Sequence, residues 1–189
     1  MSTDKVWLQN LGTGKQGENL FKTWAIQDGF AVEDKTEDES YYEKDIDFII
    51  AKNDIETTCE VKSCNLIWRT GNFVIEKTED VERNKKGWYY KSEADWFIHV
   101  DIHNEIIRIF KFKHLREFVE LMLWENENKQ KITTCKLWVV TQYDDANDYS
   151  NRKIERRNWI INMGKFIKWN QRKGYLYEQY DLSDLEVNI

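Results

Sequence analysis

The chain has 189 residues, enough for one domain with a substantial core, and 41% of them are hydrophobic, including nine Trp. This composition excludes a disordered chain, and no apolar run approaches the roughly 20 residues of a membrane span, so no membrane partner is expected. The net charge of −6 taken alone argues against a polyanionic partner. The N-terminus lacks the features of a signal peptide, and three cysteines without a CxxC pair predict a reduced, cytoplasmic protein.

The first predicted element is a helix over about 16–28, which Gly29 ends. Its apolar stripe consists of Leu20, Phe21, Trp24 and Ala25. The glycine-rich stretch 12–17 lacks the spacing of a phosphate-binding loop and predicts a flexible segment before the helix. Glu18 lies at the edge of the stripe, so it either reaches what the helix packs on or is a solvated first-turn acid.

A β-hairpin is predicted from strand-like runs at 45–51 and 56–62, joined by a turn at 52–54. Alternation places Glu60 and Lys62 on one face of the sheet, with Val61 turned the other way. A Glu and a Lys side by side on a sheet face are unusual in a core. They favour a metal site with a charged partner.

The remaining pattern predicts an edge strand at 30–32, a loop at 33–40, strands at 72–76, 96–102, 105–112 and 134–143, a helix at 113–126 and a polar loop at 144–151. The charged stretch 77–91 predicts a mobile loop whose aromatic residues could touch a base or a sugar, and Ser92 is expected to cap a helical turn over 93–95. The order predicts an α/β sandwich with a central mixed sheet flanked by helices. We expect a core domain over 1–151 and a basic, aromatic extension over 152–189 packed on it.

The hairpin residues are of the types that phosphodiester hydrolysis would need. This reaction requires an activated water and neutralised phosphoryl oxygens, which carboxylate-bound divalent metals supply. Asp47, Glu60 and the Val61 carbonyl can provide hard oxygen ligands for Mg²⁺ or Mn²⁺, with Lys62 beside them as the positive partner. Asp45 competes with Asp47, since alternation aims both at the same face; Asp47 is preferred because the strand continues directly from it.

The thirteen-residue offset from Asp47 to Glu60, followed by Val61-Lys62-Ser63, resembles the PD-(D/E)xK nuclease superfamily, with a spacing similar to that of archaeal-type Holliday-junction resolvases. Glu18 matches a Glu on the first helix of those proteins. The stretch 70–96 resembles phage-associated members, so the resemblance covers about residues 16–102. Ile46 replaces the Pro of the motif's name.

This resemblance implies a restriction-endonuclease-like fold and a Mg²⁺- or Mn²⁺-dependent DNA endonuclease, with branched or phage-related DNA as candidate substrates. The implied catalytic residues are Glu18, Asp47, Glu60 and Lys62. Asp47, Glu60 and Val61 would hold the metal. A catalytically inactive nucleic-acid-binding or inhibitor protein with the same fold is the alternative, and an interaction module that uses the acidic run 33–43 is a third. Whether the chain forms a homodimer stays open.

The charge distribution separates an acidic region from a basic one. Residues 33–62 contain 11 acids and 4 bases, whereas residues 152–173 contain 8 bases and 1 acid. The basic region interleaves with aromatic residues, which fits DNA phosphate contacts with base stacking or, equally, aromatics packed on the domain. The predicted nucleic-acid-binding residues are Arg156, Arg157, Lys165, Lys168, Arg172 and Lys173.

Three further residue types have simpler interpretations. His99 and His103 have the i, i+4 spacing of a zinc-binding helix, yet they lie in a strand pattern, so structural or surface roles are expected. Glu76 is either an additional ligand or a satisfied acid near a strand end. Cys59 and Cys64 flank the hairpin motif without a neighbouring base and are expected to be small hydrophobes.

Overall fold

The chain forms two β-sheets covered by helices, and the computed structural model describes residues 3–63, 67–130, 138–145 and 153–182. The helices are α1 (Thr3–Gln27), α2 (Glu39–Tyr42), α3 (Ile67–Thr70), α4 (Trp88–Lys91), α5 (Phe112–Asn128) and α6 (Met163–Lys173). The strands are β1 (Ala31–Asp34), β2 (Phe48–Lys52), β3 (Ile55–Ser63), β4 (Asn72–Asp80), β5 (Lys85–Lys86), β6 (Trp96–Asp101), β7 (Ile106–Lys111), β8 (Trp138–Asp145), β9 (Lys153–Asn162) and β10 (Tyr177–Asp181).

The larger sheet has six strands in the order β1-β2-β3-β6-β7-β10. It is mixed, because β3 and β6 pair in parallel whereas the other neighbours pair antiparallel. The predicted α/β fold with a central mixed sheet and flanking helices is therefore confirmed. A second, antiparallel sheet with the order β5-β4-β9-β8 was not predicted, because its pairing joins strands distant in sequence.

Each face of the six-stranded sheet has its own core. On one face, Phe21 and Trp24 of α1 pack with Phe48, Val61 and Ile98 of the sheet. On the other face, Phe97 and Phe110 of the sheet pack with α5, α6 and the second sheet through Phe73, Phe118, Trp159 and Phe166. The sheet thus lies between α1 and a thicker layer of helices and strands, as the alternating side chains of a two-sided sheet require.

The predicted β2–β3 hairpin is confirmed. Phe48 pairs with Cys59 and Lys52 with Ile55, so the connection consists of Asn53 and Asp54 alone. Both of these residues have positive φ, 54° and 62°, as a type I′ hairpin turn requires. This turn fixes the register of β3 against β2, and alternation along β3 puts Glu60 and Lys62 on one face.

The prediction of a flexible segment at 12–17 is wrong, because α1 begins at Thr3 and runs through these glycines. Gly17 explains part of this difference. A Cβ at this position would lie 2.5 Å from Ser63 Cβ, so glycine lets the helix approach the end of β3 closely. Tertiary packing there overrides the low helix propensity of glycine. The predicted end of the helix at Gly29 is confirmed, with φ of 84°.

The prediction of a mobile aromatic loop at 77–91 is also wrong. Strand β4 continues to Asp80, β5 pairs with it, and α4 buries Trp88 and Tyr89 in the core. Gly87 makes this possible, since a Cβ there would overlap the main chain of Glu76. Ser92 ends α4 instead of starting a helical turn, and its Oγ accepts a hydrogen bond from the Ala94 amide.

The other predicted elements match closely. Strands β1, β6 and β7 and helix α5 are confirmed, while the predicted loop 33–40 also contains the last residues of β1 and the start of α2. Strand β8 covers the second half of the predicted strand 134–143 and extends to Asp145; residues 134–137 and 146–151 lie outside the described part. In the C-terminal extension, β9 joins the second sheet and β10 joins the central one. The described helices include none that is long and apolar enough to cross a membrane.

Candidate active site

Asp47 is held at the point where β2 begins. Its amide donates a hydrogen bond to the Cys59 carbonyl (2.9 Å), and its Oδ2 accepts one from the Val61 amide (2.7 Å). The negative charge of Asp47 raises the pKa of Glu60, so the two carboxylates lie near each other. The two ends of the predicted motif are therefore close together, at neighbouring strands.

Glu60 is completely buried, and its Oε2 has no hydrogen-bond partner among the described residues. The Lys62 ammonium contacts the other oxygen, Oε1. Burial raises the pKa of Glu60 well above its ordinary value; the charge of Lys62 opposes this shift. A buried carboxylate oxygen without a donor is costly, which makes it a natural position for a cation.

Lys62 is about one third exposed, so it reaches both the site and solvent. Burial acts to lower the pKa of Lys62, but the negative charges of Glu60 and Asp47 outweigh it and raise the pKa above its ordinary value. The side chain is therefore an ammonium at neutral pH. Val61 lies between Glu60 and Lys62, and its side chain packs in the core on the α1 face of the sheet.

Asp45 does not follow the alternation predicted for it, because it lies in a turn before β2 with a φ of 44°. Its Oδ1 is 3.5 Å from Lys91 Nζ, and its Oδ2 is buried without a hydrogen-bond partner in the described structure. Burial raises the pKa of Asp45. Like Asp47, it raises the pKa of Glu60 electrostatically, so both aspartates lie near Glu60.

Glu18 lies on α1, one residue after the glycine that packs on Ser63. Its ion pair is with Lys15, 3.2 Å away and one helical turn earlier. No hydrogen bond or ion pair joins Glu18 to Asp47, Glu60 or Lys62, all of which are described. The helix thus brings Glu18 to the end of β3 but not into direct contact with the other predicted site residues.

The donor set fits a hard divalent cation. The described residues contain no group of three or more His, Cys, Asp and Glu side chains placed to hold a metal ion. Mg²⁺ needs fewer, since it retains several waters and takes one or two carboxylates. Asp47 and Glu60, which has one unpartnered oxygen, are carboxylates of that number.

Two residues of α4 adjoin the site and were not predicted to do so. Lys62 Nζ lies 5.6 Å from the ring centre of Trp88, and Lys91 reaches Asp45. Both are 26 or more residues beyond Lys62 in the sequence, so spacing alone could not place them. The available indication was the aromatic run 88–90 within an otherwise charged stretch.

The predicted DNA-contact residues fall into two groups. Arg156 pairs with Glu76 (2.8 Å), and Arg157 with Glu155 (3.1 Å), so both guanidinium groups already have partners. The remaining four are exposed on α6: Lys165, Lys168, Arg172 and Lys173. The tail's aromatic residues Trp159, Phe166 and Trp169 are buried, which favours packing over base stacking.

The two histidines occupy different environments. His99 is buried on β6, opposite Arg108 of β7, and neither ring nitrogen has a hydrogen-bond partner among the described residues. His103 is exposed and stacks on Trp68, with ring centres 4.3 Å apart. The expectation of structural or surface roles is compatible with these placements. Buried Cys59 is a free thiol; Cys64 and Cys135 lie outside the described residues.

His99 should make folding stability depend on pH. Burial and the positive charge of Arg108 lower its pKa to about 3, against 6.5 ordinarily. The unfolded chain therefore binds a proton below pH 6.5 that the folded chain does not, so stability falls with falling pH by about 1.4 kcal/mol per unit. We expect His99→Gln to remove this part of the slope in urea unfolding between pH 7.5 and 5. The matched variant of exposed His103, His103→Gln, should keep the wild-type slope; an unchanged slope in His99→Gln would contradict the assignment.

Comparison with known proteins gives a similarity to a solved structure, without a match in sequence. No family model and no curated protein sequence matches the chain. Among solved structures, the bacterial homing endonuclease I-Ssp6803I is similar, with 19% sequence identity and a TM-score of 0.39. The match covers 53% of this chain and 64% of that endonuclease, slightly less than two thirds of its length. A match of this extent leaves the chemistry of the chain to be decided by its own side chains.

Proposed function

We propose that the chain is a Mg²⁺- or Mn²⁺-dependent DNA endonuclease of the PD-(D/E)xK type. The observation that carries this proposal is the Glu60 carboxylate, which is completely buried, has an oxygen without a hydrogen-bond donor, and lies beside Asp47 and Lys62. A structural ion pair would be expected to satisfy both oxygens. The arrangement instead suits a cation-binding position next to a fixed positive charge.

The roles of the side chains follow from their positions. A divalent cation bound here would neutralise charge on phosphoryl oxygens and lower the pKa of a bound water. Asp47 and Glu60 supply ligand oxygens, with the Val61 carbonyl as the third. Lys62 orients the attacking water or stabilises the charge that develops on the phosphoryl group. Glu18 acts as a further ligand or as a base, a role supported by its place beside the end of β3.

The proposed DNA-binding surface is the exposed face of α6. Phe166 of this helix packs on Phe110 of β7, with ring centres 4.7 Å apart. In the sheet register, Phe110 pairs with Phe97, which pairs with Glu60, so α6 covers the same face of the sheet as the site. Two strand spacings, about 10 Å, separate β3 from β7. A bound DNA backbone could therefore contact both regions.

Neutralising positive charges on α6 should weaken binding to all DNA sequences by a similar factor. Lys168 and Arg172 are exposed, and neither has an ion-pair partner among the described residues. In a Lys168→Gln/Arg172→Gln variant, we expect the dependence of log K on log salt to become shallower by about two units, because each lost phosphate contact contributes about 0.9. Fluorescence anisotropy across a salt series measures this slope. Lys113, an exposed lysine on α5, provides the control, and Lys113→Gln should leave the salt slope unchanged. An equal loss of salt slope in both variants would place the DNA on another surface.

The direct test is a cleavage screen of linear, branched and single-stranded DNA, with RNA as a comparison, in Mg²⁺ and in Mn²⁺. Metal-dependent cleavage that disappears in Asp47→Ala is the expected result. Binding of DNA without cleavage under any condition would favour the alternative, a nuclease-fold protein that acts as a nucleic-acid-binding or inhibitor module. The paired guanidinium groups of Arg156 and Arg157 do not distinguish these functions, whereas the unpartnered Glu60 oxygen favours the enzyme.

A further inference from the structure

The ammonium group of Lys62 has both a carboxylate and an aromatic ring as neighbours. It contacts Glu60 Oε1, and the ring centre of Trp88 lies 5.6 Å away. A lysine side chain is a flexible four-carbon chain, and its ammonium group interacts with an anion from many directions. A carboxylate alone would therefore leave the ammonium free to rotate around it. The second contact, with the Trp88 ring, restricts that motion.

Trp88 is itself held firmly. Its ring stacks on Phe97 at 5.7 Å, nearly parallel with an interplanar angle of 7°, and Phe112 meets it edge-on at 6.1 Å. Only 8% of Trp88 is exposed. Because Phe97 pairs with Glu60 in the parallel register of β3 and β6, the same cross-strand row supports both contacts of the Lys62 ammonium.

The local fold explains how Trp88 arrives there. Gly87 lets the chain press against the main chain of Glu76, and the four-residue helix α4 begins at the next residue. Lys91, at the other end of α4, lies 3.5 Å from Asp45 Oδ1. Residues three apart on a helix share a face, so α4 turns one face towards the site. At that face, Trp88 contacts the Lys62 ammonium and Lys91 contacts the Asp45 carboxylate.

We propose that Trp88 is a positioning residue, whose indole ring holds the Lys62 ammonium beside Glu60 in the proposed nuclease site. This role rests on the proposed function for its catalytic consequence. Trp has the strongest ring quadrupole of the aromatic side chains, and a cation within about 6 Å of its centre is attracted by it. The interaction limits the orientations of Lys62 and adds no group to the reaction.

Replacing the ring should reduce the chemical step and leave DNA binding alone. For Trp88→Leu we expect the single-turnover rate with saturating protein to fall about tenfold, with the Kd for DNA within about twofold of wild type. Trp88→Phe keeps a ring against Phe97 and should lose only about threefold. Trp96→Leu is the matched control, because Lys111 lies 5.7 Å from its ring centre and Trp96 packs in the core on the opposite sheet face. It should cleave at close to the wild-type rate.

A second measurement reports the Lys62 position without any cleavage. Reductive methylation with ¹³C-formaldehyde places labelled methyl groups on lysine while keeping the charge, and Lys62→Arg identifies the Lys62 signal in NMR spectra. Ring current from Trp88 should shift this signal in the wild type, and the shift should vanish in Trp88→Leu and diminish in Trp88→Phe. If the Leu variant does not fold, as shown by its thermal melt, the Phe variant decides alone.

The outcomes separate this inference from the proposed function. An unshifted Lys62 signal, or a Trp88 variant that cleaves at the wild-type rate, would overturn the positioning role while the nuclease assignment stands. A wild-type protein that cleaves no substrate would overturn the nuclease assignment, and the NMR signal would still decide whether Trp88 holds Lys62. Loss of rate in Trp96→Leu equal to that in Trp88→Leu would show a general effect of removing a Trp and count against the inference.

Discussion

Replacing Lys62 with alanine is expected to lower the single-turnover cleavage rate by about 10³-fold, because a group that stabilises transition-state charge in a dry site typically contributes 10²–10³. DNA affinity should change little, since one ammonium is a small part of a phosphate-binding surface. Rapid-quench cleavage and anisotropy on the same labelled DNA measure both quantities. This pattern, a lost chemical step with retained binding, is what a transition-state role predicts.

Lys52→Ala is the matched control for this variant. Lys52 lies on the same hairpin and is ion-paired with Asp28 (2.9 Å). It is the last residue of β2, next to the turn and at the opposite end of the hairpin from Lys62. Its removal should leave cleavage at the wild-type rate. Metal-dependent cleavage retained in Lys62→Ala would remove Lys62 from the mechanism, and a parallel loss in both variants would point to damage to the hairpin.

Replacing Glu60 with glutamine is expected to lower Mn²⁺ affinity at least about 100-fold, as loss of a direct ligand should cost no less than loss of an outer partner. Glutamine keeps the shape of the side chain but carries no negative charge, so the change isolates the charge of a completely buried group. Calorimetric titration of Mn²⁺ into the protein without DNA measures the affinity independently of cleavage. Cleavage should disappear along with the binding heat.

Glu56→Gln controls for the loss of a negative charge from the same strand. Glu56 is exposed on β3, four residues before Glu60. It should bind Mn²⁺ as the wild type does. Equal Mn²⁺ heats in wild type and Glu60→Gln would show that the carboxylate holds no metal, and the inactive binding module would then be the better account.

Local sequence patterns were sufficient for the hairpin. Alternation along β3 is enough to put Glu60 and Lys62 on one face, and the turn predicted at 52–54 is in the structure the two-residue connection Asn53-Asp54. The same kind of reasoning failed at Gly17, where the low helix propensity of glycine is outweighed by close packing of α1 on Ser63. Propensity is a local quantity, and that contact spans 46 positions of the chain.

The surroundings of the site could not be predicted for a related reason. Trp88 reaches Lys62 through a short helix whose position depends on the close approach of Gly87 to Glu76, and that contact leaves no periodic pattern in the sequence. Charged neighbours also made the segment resemble a solvated loop. The second sheet was missed because pairing of β4 with β9 joins residues 72–80 to residues 153–162, a long-range choice that alternation does not encode.

The parallel pairing of β3 with β6 has a consequence for folding. The β1–β2–β3 unit and the β6–β7 hairpin are each built from sequence neighbours, whereas their junction must close across the intervening residues 64–95. Such long-range pairing forms slowly relative to hairpins. Glu60 and Lys62 lie on the strand at this junction, so we expect Glu60 to become buried only when the two units dock. Hydrogen exchange at the β3–β6 amides would thus report on assembly of the site as well as on folding of the sheet.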